Sequence, residues 1–144
     1  MLPQTDFELT SDFQIQNQPS YTFRLNTLDD NIKGFVDDLQ AVKQAIYLIL
    51  NTQRYQYLIY DWDYGVEFDD LIGCEKNYAI VQIQSRITDA LLQDDRIEAV
   101  VDFEFETNKK SITAYFVVKT IFGDVEEQKA VNSCCLKIIR MKKF

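Results

Sequence analysis

The chain has 144 residues, of which 47% are hydrophobic, a formal net charge of −8 and no histidine. That length suits one domain with a sizeable core and is too short for two ordinary ones. The acidic balance argues against a general DNA or RNA backbone binder, and the missing histidine excludes Ser-His and Cys-His nucleophile pairs and the helical HExxH zinc site.

Charge is unevenly spread. All 23 acidic residues lie within residues 1–128, beside 10 basic ones. Residues 129–144 hold five basic residues (Lys129, Lys137, Arg140, Lys142, Lys143) and no acidic one. An acidic body with a basic end points to partner contacts; the plainer alternative is a solvated, partly disordered end. Cys74, Cys134 and Cys135 are odd in number and two are adjacent, so they form no disulfide framework and fit a reducing compartment. The first residues lack the charged and apolar regions of a signal peptide, and no apolar run is long enough to span a membrane.

In chain order, residues 1–20 are polar, with Pro3, Pro19 and four glutamines, and read as an arm. Tyr21, Phe23 and Leu25 alternate with polar residues and predict a half-buried strand. A turn at Leu28-Asp29-Asp30-Asn31 returns it as a second strand over Ile32 to Val36, with a bulge at Gly34. Asp37 and Gln40 resemble a capping box, and Leu39, Val42, Ile46, Ile49 and Leu50 line one face of the following helix, which fades near Asn51-Thr52. Residues 55–68 hold six aromatics (Tyr55, Tyr57, Tyr60, Trp62, Tyr64, Phe68) interleaved with Asp61, Asp63 and Glu67. Asp69 to Gly73 predicts one short helical turn stopped by glycine. Asn77 can cap a second helix with Ile80, Ile83, Ile87, Ala90 and Leu91 inward, ending near Gln93-Asp94-Asp95.

Ile97, Ala99, Val101, Phe103 and Phe105 then alternate with polar residues, the cleanest strand pattern in the chain. A hairpin turn falls at Thr107-Asn108-Lys109-Lys110. Ser111 to Ile121 is apolar on both faces, hence a central or covered strand. Val125 to Val131 predicts a third, weaker strand. Strands cluster rather than alternate with helices, so the fold class is α+β: an N-terminal β-hairpin, two long helices and a mostly antiparallel C-terminal sheet. The organisation is an arm (1–20), one domain (21–131) and a basic C-terminal segment (132–144).

The residues offer little chemistry. Asp61-Trp62-Asp63-Tyr64-Gly65 fails the calcium-loop pattern, because Gly65, Val66 and Ile72 stand where it needs an oxygen ligand, a glycine and a glutamate. Carboxylate pairs could in principle run glycoside hydrolysis, but nothing marks one acid as buried and another as exposed. Cys74 has only Lys76 nearby to activate it and reads as a plain, partly buried thiol. Cys134-Cys135 lacks zinc spacing, and the four glycines are too scattered for a phosphate loop. No catalytic, metal or cofactor residue is assigned. The surplus of Tyr and Trp suits a protein interface, with corner packing as the plainer alternative, and a free sheet edge could accept a strand from another chain.

Three runs carry a resemblance: Asp38–Thr52, Tyr60-Asp61-Trp62-Asp63-Tyr64-Gly65-Val66-Glu67 with Leu71-Ile72-Gly73, and Leu91-Leu92-Gln93-Asp94-Asp95-Arg96-Ile97 leading into the Phe103–Phe122 strands. In this order they resemble the XkdS family of contractile-tail phages and prophages, within the small baseplate wedge proteins once labelled lysozyme-like. The resemblance covers roughly residues 20–130. It implies a non-enzymatic baseplate wedge or sheath-initiator subunit, without cofactor, nucleic acid or membrane. Its implied partners are other wedge proteins and the tail sheath protein. It further implies that the protein is present in multiple copies, is assembled in the host cytoplasm, and templates the first sheath ring by sharing β-strands. The family's Glu-Pro-Arg motif matches Asp94-Asp95-Arg96, with the proline replaced. These three residues, with Tyr60, Trp62 and Tyr64, are the candidate partner-binding set. A cell-wall glycosidase and a soluble adaptor of the same fold are the rival readings.

Overall fold

The computed structural model describes residues 20–26, 31–109 and 111–132. Most of the N-terminal arm, the turn at 28–30, Lys110 and the C-terminal segment from 133, including Cys134 and Cys135, lie outside the described residues. The elements are β1 (Thr22–Asn26), β2 (Asn31–Val36), α1 (Asp38–Asn51), a 3-10 turn (Asp69–Leu71), α2 (Lys76–Leu91), β3 (Ile97–Thr107), β4 (Ser111–Thr120) and β5 (Gly123–Asn132). β1 and β2 form an antiparallel hairpin, and the second sheet is antiparallel in the order β3-β4-β5. This is the α+β arrangement the clustering of strands predicts. No helix among the described residues is long and apolar enough to cross a membrane.

The helices cover one face of the three-stranded sheet. β4 supplies the middle of that face with Ala114, Phe116 and Val118, all buried. α1 places Val42, Ile46, Ile49 and Leu50 against it, and α2 places Ile83, Ile87, Ala90 and Leu91. The 3.6-residue spacing of these side chains is what gives each helix one apolar stripe. Asp37 caps α1 by accepting from the Asp38 N–H at 2.8 Å. α2 begins earlier than the Asn77 cap would place it. Gly73 turns the chain, and Glu75 stands at the cap position without a side-chain bond, its carbonyl accepting from the Ala79 N–H at 2.9 Å.

β3 departs from simple alternation. Its register against β4 breaks between Ile97 and Ala99 and again between Val101 and Glu104, with the extra residues on β3. Asp102, inside the second break, has φ +55°, a conformation Asp tolerates better than most residues. Ala99 and Val101 therefore pair with Lys119 and Val117 on the face away from the helices. Ile97, Val100, Phe103 and Phe105 face the core, and Phe103 stacks on Phe116 with ring centres 5.4 Å apart. β5 is longer than its sequence pattern suggests and pairs with β4 through ten consecutive positions.

The hairpin also differs from expectation. Tyr21 and Phe23 are exposed rather than half-buried. Their rings stack on Phe35, each at 4.9 Å, instead of entering the core. The expected bulge is present: Lys33 and Gly34 together oppose Arg24, and Gly34 has φ +80°. The hairpin joins the body through Gln44 of α1, whose amide donates to the Phe23 carbonyl at 2.8 Å and accepts from the Leu25 N–H at 2.9 Å. One side chain thus supplies a rung to the outer edge of β1.

Two polar residues of β5 face the helices. Glu127 and Lys129 pair with Phe116 and Ala114, so they lie beneath α1. Lys129 Nζ donates to Asn51 Oδ1 at 2.9 Å. Burial pushes the Glu127 carboxyl up to about 7, opposed by the Lys43 charge, and burial pushes the Lys129 ammonium down to about 8. The Glu127 contribution to stability is full below its unfolded value near 4.5 and is lost as pH rises through about 7. That of Lys129 is full above about 10.5 and is lost as pH falls through about 8. Glu127→Gln should therefore gain in melting temperature over the parent between pH 5 and pH 8; a constant difference across that range would contradict this.

Gly65 marks a second sensitive point. It has φ +94°, and a Cβ there would sit 2.6 Å from the Thr52 carbonyl oxygen. Gly65→Ala should cost about 3 kcal/mol in denaturant unfolding, combining backbone strain and displacement of main chain. Gly34→Ala, whose Cβ would meet open space, should cost about 1 kcal/mol.

Candidate docking site

The aromatic segment between α1 and the 3-10 turn is a closed loop. Its ends meet where the Val66 N–H donates to the Thr52 carbonyl at 3.0 Å and the Arg54 N–H donates to the Val66 carbonyl at 3.1 Å. The Arg54 guanidinium then reaches across the loop. Its Nε donates to the Gly65 carbonyl and its Nη2 to the Asp63 carbonyl, both at 3.2 Å. Arg86 of α2 holds the next stretch by an ion pair with Asp70 and a 2.6 Å bond from Nη1 to the Glu67 carbonyl. Two arginines thereby anchor the loop, although nothing in their sequence spacing signals it. Asp70 lies below the usual carboxylate range because Arg86 hydrogen-bonds it.

Within the loop, Tyr60 and Tyr64 stack at 4.6 Å, and Tyr57 meets Tyr60 edge-on at 6.2 Å. Tyr64 is half-buried and packs on the core, while Trp62 stays 71% exposed. Among the described residues, Leu58 and Ile59, absent from the candidate set, are the most exposed large apolar side chains, at 104% and 84%. Their signal was present: two apolar residues with no helical or strand period around them. Two neighbouring apolar side chains held this far out of the core make the loop tip a candidate contact site.

Asp94 and Arg96 lie in the turn between α2 and β3. Arg96 grips Asp94 with two bonds, Nε to Oδ1 at 2.8 Å and Nη2 to Oδ2 at 2.6 Å, and the Arg96 N–H adds a third at 3.0 Å. Their side chains are only 16% and 11% exposed, Arg96 and Asp94 respectively. Burial works to raise the Asp94 carboxyl, but hydrogen bonds from Arg96 prevail and hold it below its ordinary value. The Arg96 carbonyl accepts from the Ile121 N–H at 3.1 Å, tying this turn to the β4–β5 turn. The Tyr64 phenol is pushed up by burial, then by Tyr60 and by the Asp94 charge. The fold thus brings the Tyr60–Tyr64 stack beside the Asp94 turn, while Trp62 and Asp95 lie on the exposed surface. Cys74 is exposed, contrary to expectation, with its Sγ donating to the Asp70 carbonyl at 3.3 Å.

The third feature is a sheet edge. Among the described residues, nothing pairs with the outer edges of β3 and β5. The two edges are unlike. β3 carries both register breaks, which twist and interrupt an edge, whereas β5 runs unbroken. Among the described residues no His/Cys/Asp/Glu group has the geometry of a metal site.

The partly buried Asp94–Arg96 pair should contribute about 2 kcal/mol, between an exposed pair and a fully buried one. Arg96→Met should cost about that much at pH 7, and adding Asp94→Asn should recover part of it. A double-mutant cycle by urea unfolding would show the coupling, and strictly additive losses would refute it.

The description "contractile injection system sheath initiator" belongs to a family that matches residues 10–123. The chain is also similar to the phage-like element PBSX protein XkdS of Bacillus subtilis strain 168, at 30% identity over 139 residues, 92% of this chain and 96% of that protein. With a match across most of its length and the α+β body in place, the chain belongs to the contractile injection system sheath initiator family.

Proposed function

We propose that this structural tail protein, in several copies per baseplate and without enzymatic activity, joins the baseplate wedge to the first sheath ring. In this reading it offers the edge of β5 to a sheath strand. The unbroken ten-residue pairing of β4 with β5 carries the proposal, because it leaves β5 straight and its outer N–H and C=O groups in regular spacing. Main-chain bonds along such an edge supply affinity, and alternate side chains supply selectivity. The wedge contact is assigned to Tyr60, Trp62, Tyr64 and Asp95, with Asp94 and Arg96 setting the shape of the turn. Exposed carboxylates around the aromatic loop (Asp61 and Glu67) suit a partner with basic side chains around an apolar pocket. The particle is assembled in the host cytoplasm and becomes part of the finished tail.

The test uses the edge itself. β4 and β5 join through a two-residue turn closed by Thr120 and Gly123, so the alternation of hydrogen bonds directs the Gln128 N–H away from β4. Gln128→Pro removes that donor with little effect on the fold. Particles carrying it should show tubes on baseplates without assembled sheath in electron micrographs. Normal sheathed particles would overturn the strand-sharing reading.

A further inference from the structure

Between the end of α1, the base of the aromatic loop and the 3-10 turn lies a groove of about 200 Å³. It is smaller than the ~300–1,000 Å³ typical of small-molecule pockets, and suits a few side chains of a peptide. Leu50, Val66, Phe68 and Ile72 line its apolar part. We infer that this groove is the seat of the chain's own C-terminal segment, residues 133–144, which enters it with the apolar side chains between Cys134 and Ile139.

Three observations converge on that occupant. The first is continuity. Ala130 and Val131 of β5 are themselves part of the groove wall, so the segment leaves from its rim. In extended chain, Cys134 lies within about 10 Å of Val131 and Leu136 within about 16 Å. The tether makes docking intramolecular, with a high effective concentration.

The second is charge. Residues 55–75 hold six acidic residues and no basic one, while residues 133–144 hold four basic residues and no acidic one. Asp69 lies in the groove beside the C-terminus of α1. Lys129 is the basic residue of the lining, and its ammonium is held by Asn51.

The third is pattern. Leu136-Lys137-Ile138-Ile139-Arg140-Met141-Lys142-Lys143-Phe144 interleaves apolar and basic side chains, which matches an apolar floor with Asp69 at its edge. Seated there, the segment lies on the helix side of the sheet, clear of the outer edge of β5.

Hydrogen exchange of the full chain, followed by mass spectrometry at low salt, tests this. Peptides from 133–144 should exchange about tenfold or more slowly than the same sequence as a free peptide. Ile72→Lys places a like charge at the exposed rim of the groove and should return the segment to free-peptide rates, with α1 and α2 still protected. If that variant loses helix protection, Lys137→Glu with Arg140→Glu, placed in the segment itself, should give the same release. Free-peptide rates in the unmodified chain would overturn the inference, as would protection that survives both variants. Protection that vanishes on dilution would also overturn it, because it would mark a second copy as the occupant.

Discussion

The inner face of β4 is the constraint on which the rest of the molecule depends. Ala114, Phe116 and Val118 are buried there by side chains from both helices, and β4 is paired along both edges. A strand bound on three sides cannot shift register by one residue without turning its buried set outward. That fixes α1 over β5 and α2 over β3 and β4. It also determines what is left over: two outer strands with one edge each, and an outer face bearing Tyr115, Lys119, Glu104 and Glu126.

Because the core claims one face of one small sheet, the remaining apolar residues have no interior to enter. The hairpin rings stack on one another, and the loop from Tyr55 to Trp62 displays Leu58, Ile59 and Trp62 to solvent. The arginines at 54 and 86 hold the base of that loop through backbone carbonyls, so its shape does not depend on burying its tip. A loop tied at its base with an apolar tip, and a straight strand edge, are both suited to contacts between subunits.

The electrostatics follow the same division. Where acids meet arginine, the Asp94–Arg96 pair is local to its turn and the Asp70–Arg86 pair ties the 3-10 turn to α2, and both hold backbone geometry. Where β5 slides under α1, Glu127 and Lys129 are partly taken out of water, and burial moves the two in opposite senses. Both choices leave most of the acidic body unneutralised and facing outward.

The sequence by itself determined the elements: two amphipathic helices, the hairpin with its Gly34 bulge, and a central strand apolar on both faces. These are local properties, written in periods of 2 and 3.6 residues and in turn chemistry. It also held the family resemblance, which lies in the order of three local runs. Tertiary structure alone decided the rest. The bulges of β3 moved Ala99 and Val101 off the core face, because inserted residues reset a strand's alternation and Asp102 gives only a weak signal of it. It also decided that β5 would pair along its whole length, since its partner β4 supplies the pattern that β5 lacks. The meeting of Tyr64 with Asp94, thirty residues apart, and the grip of Arg54 and Arg86 on the loop depend on where the helices end in space, which no local spacing records.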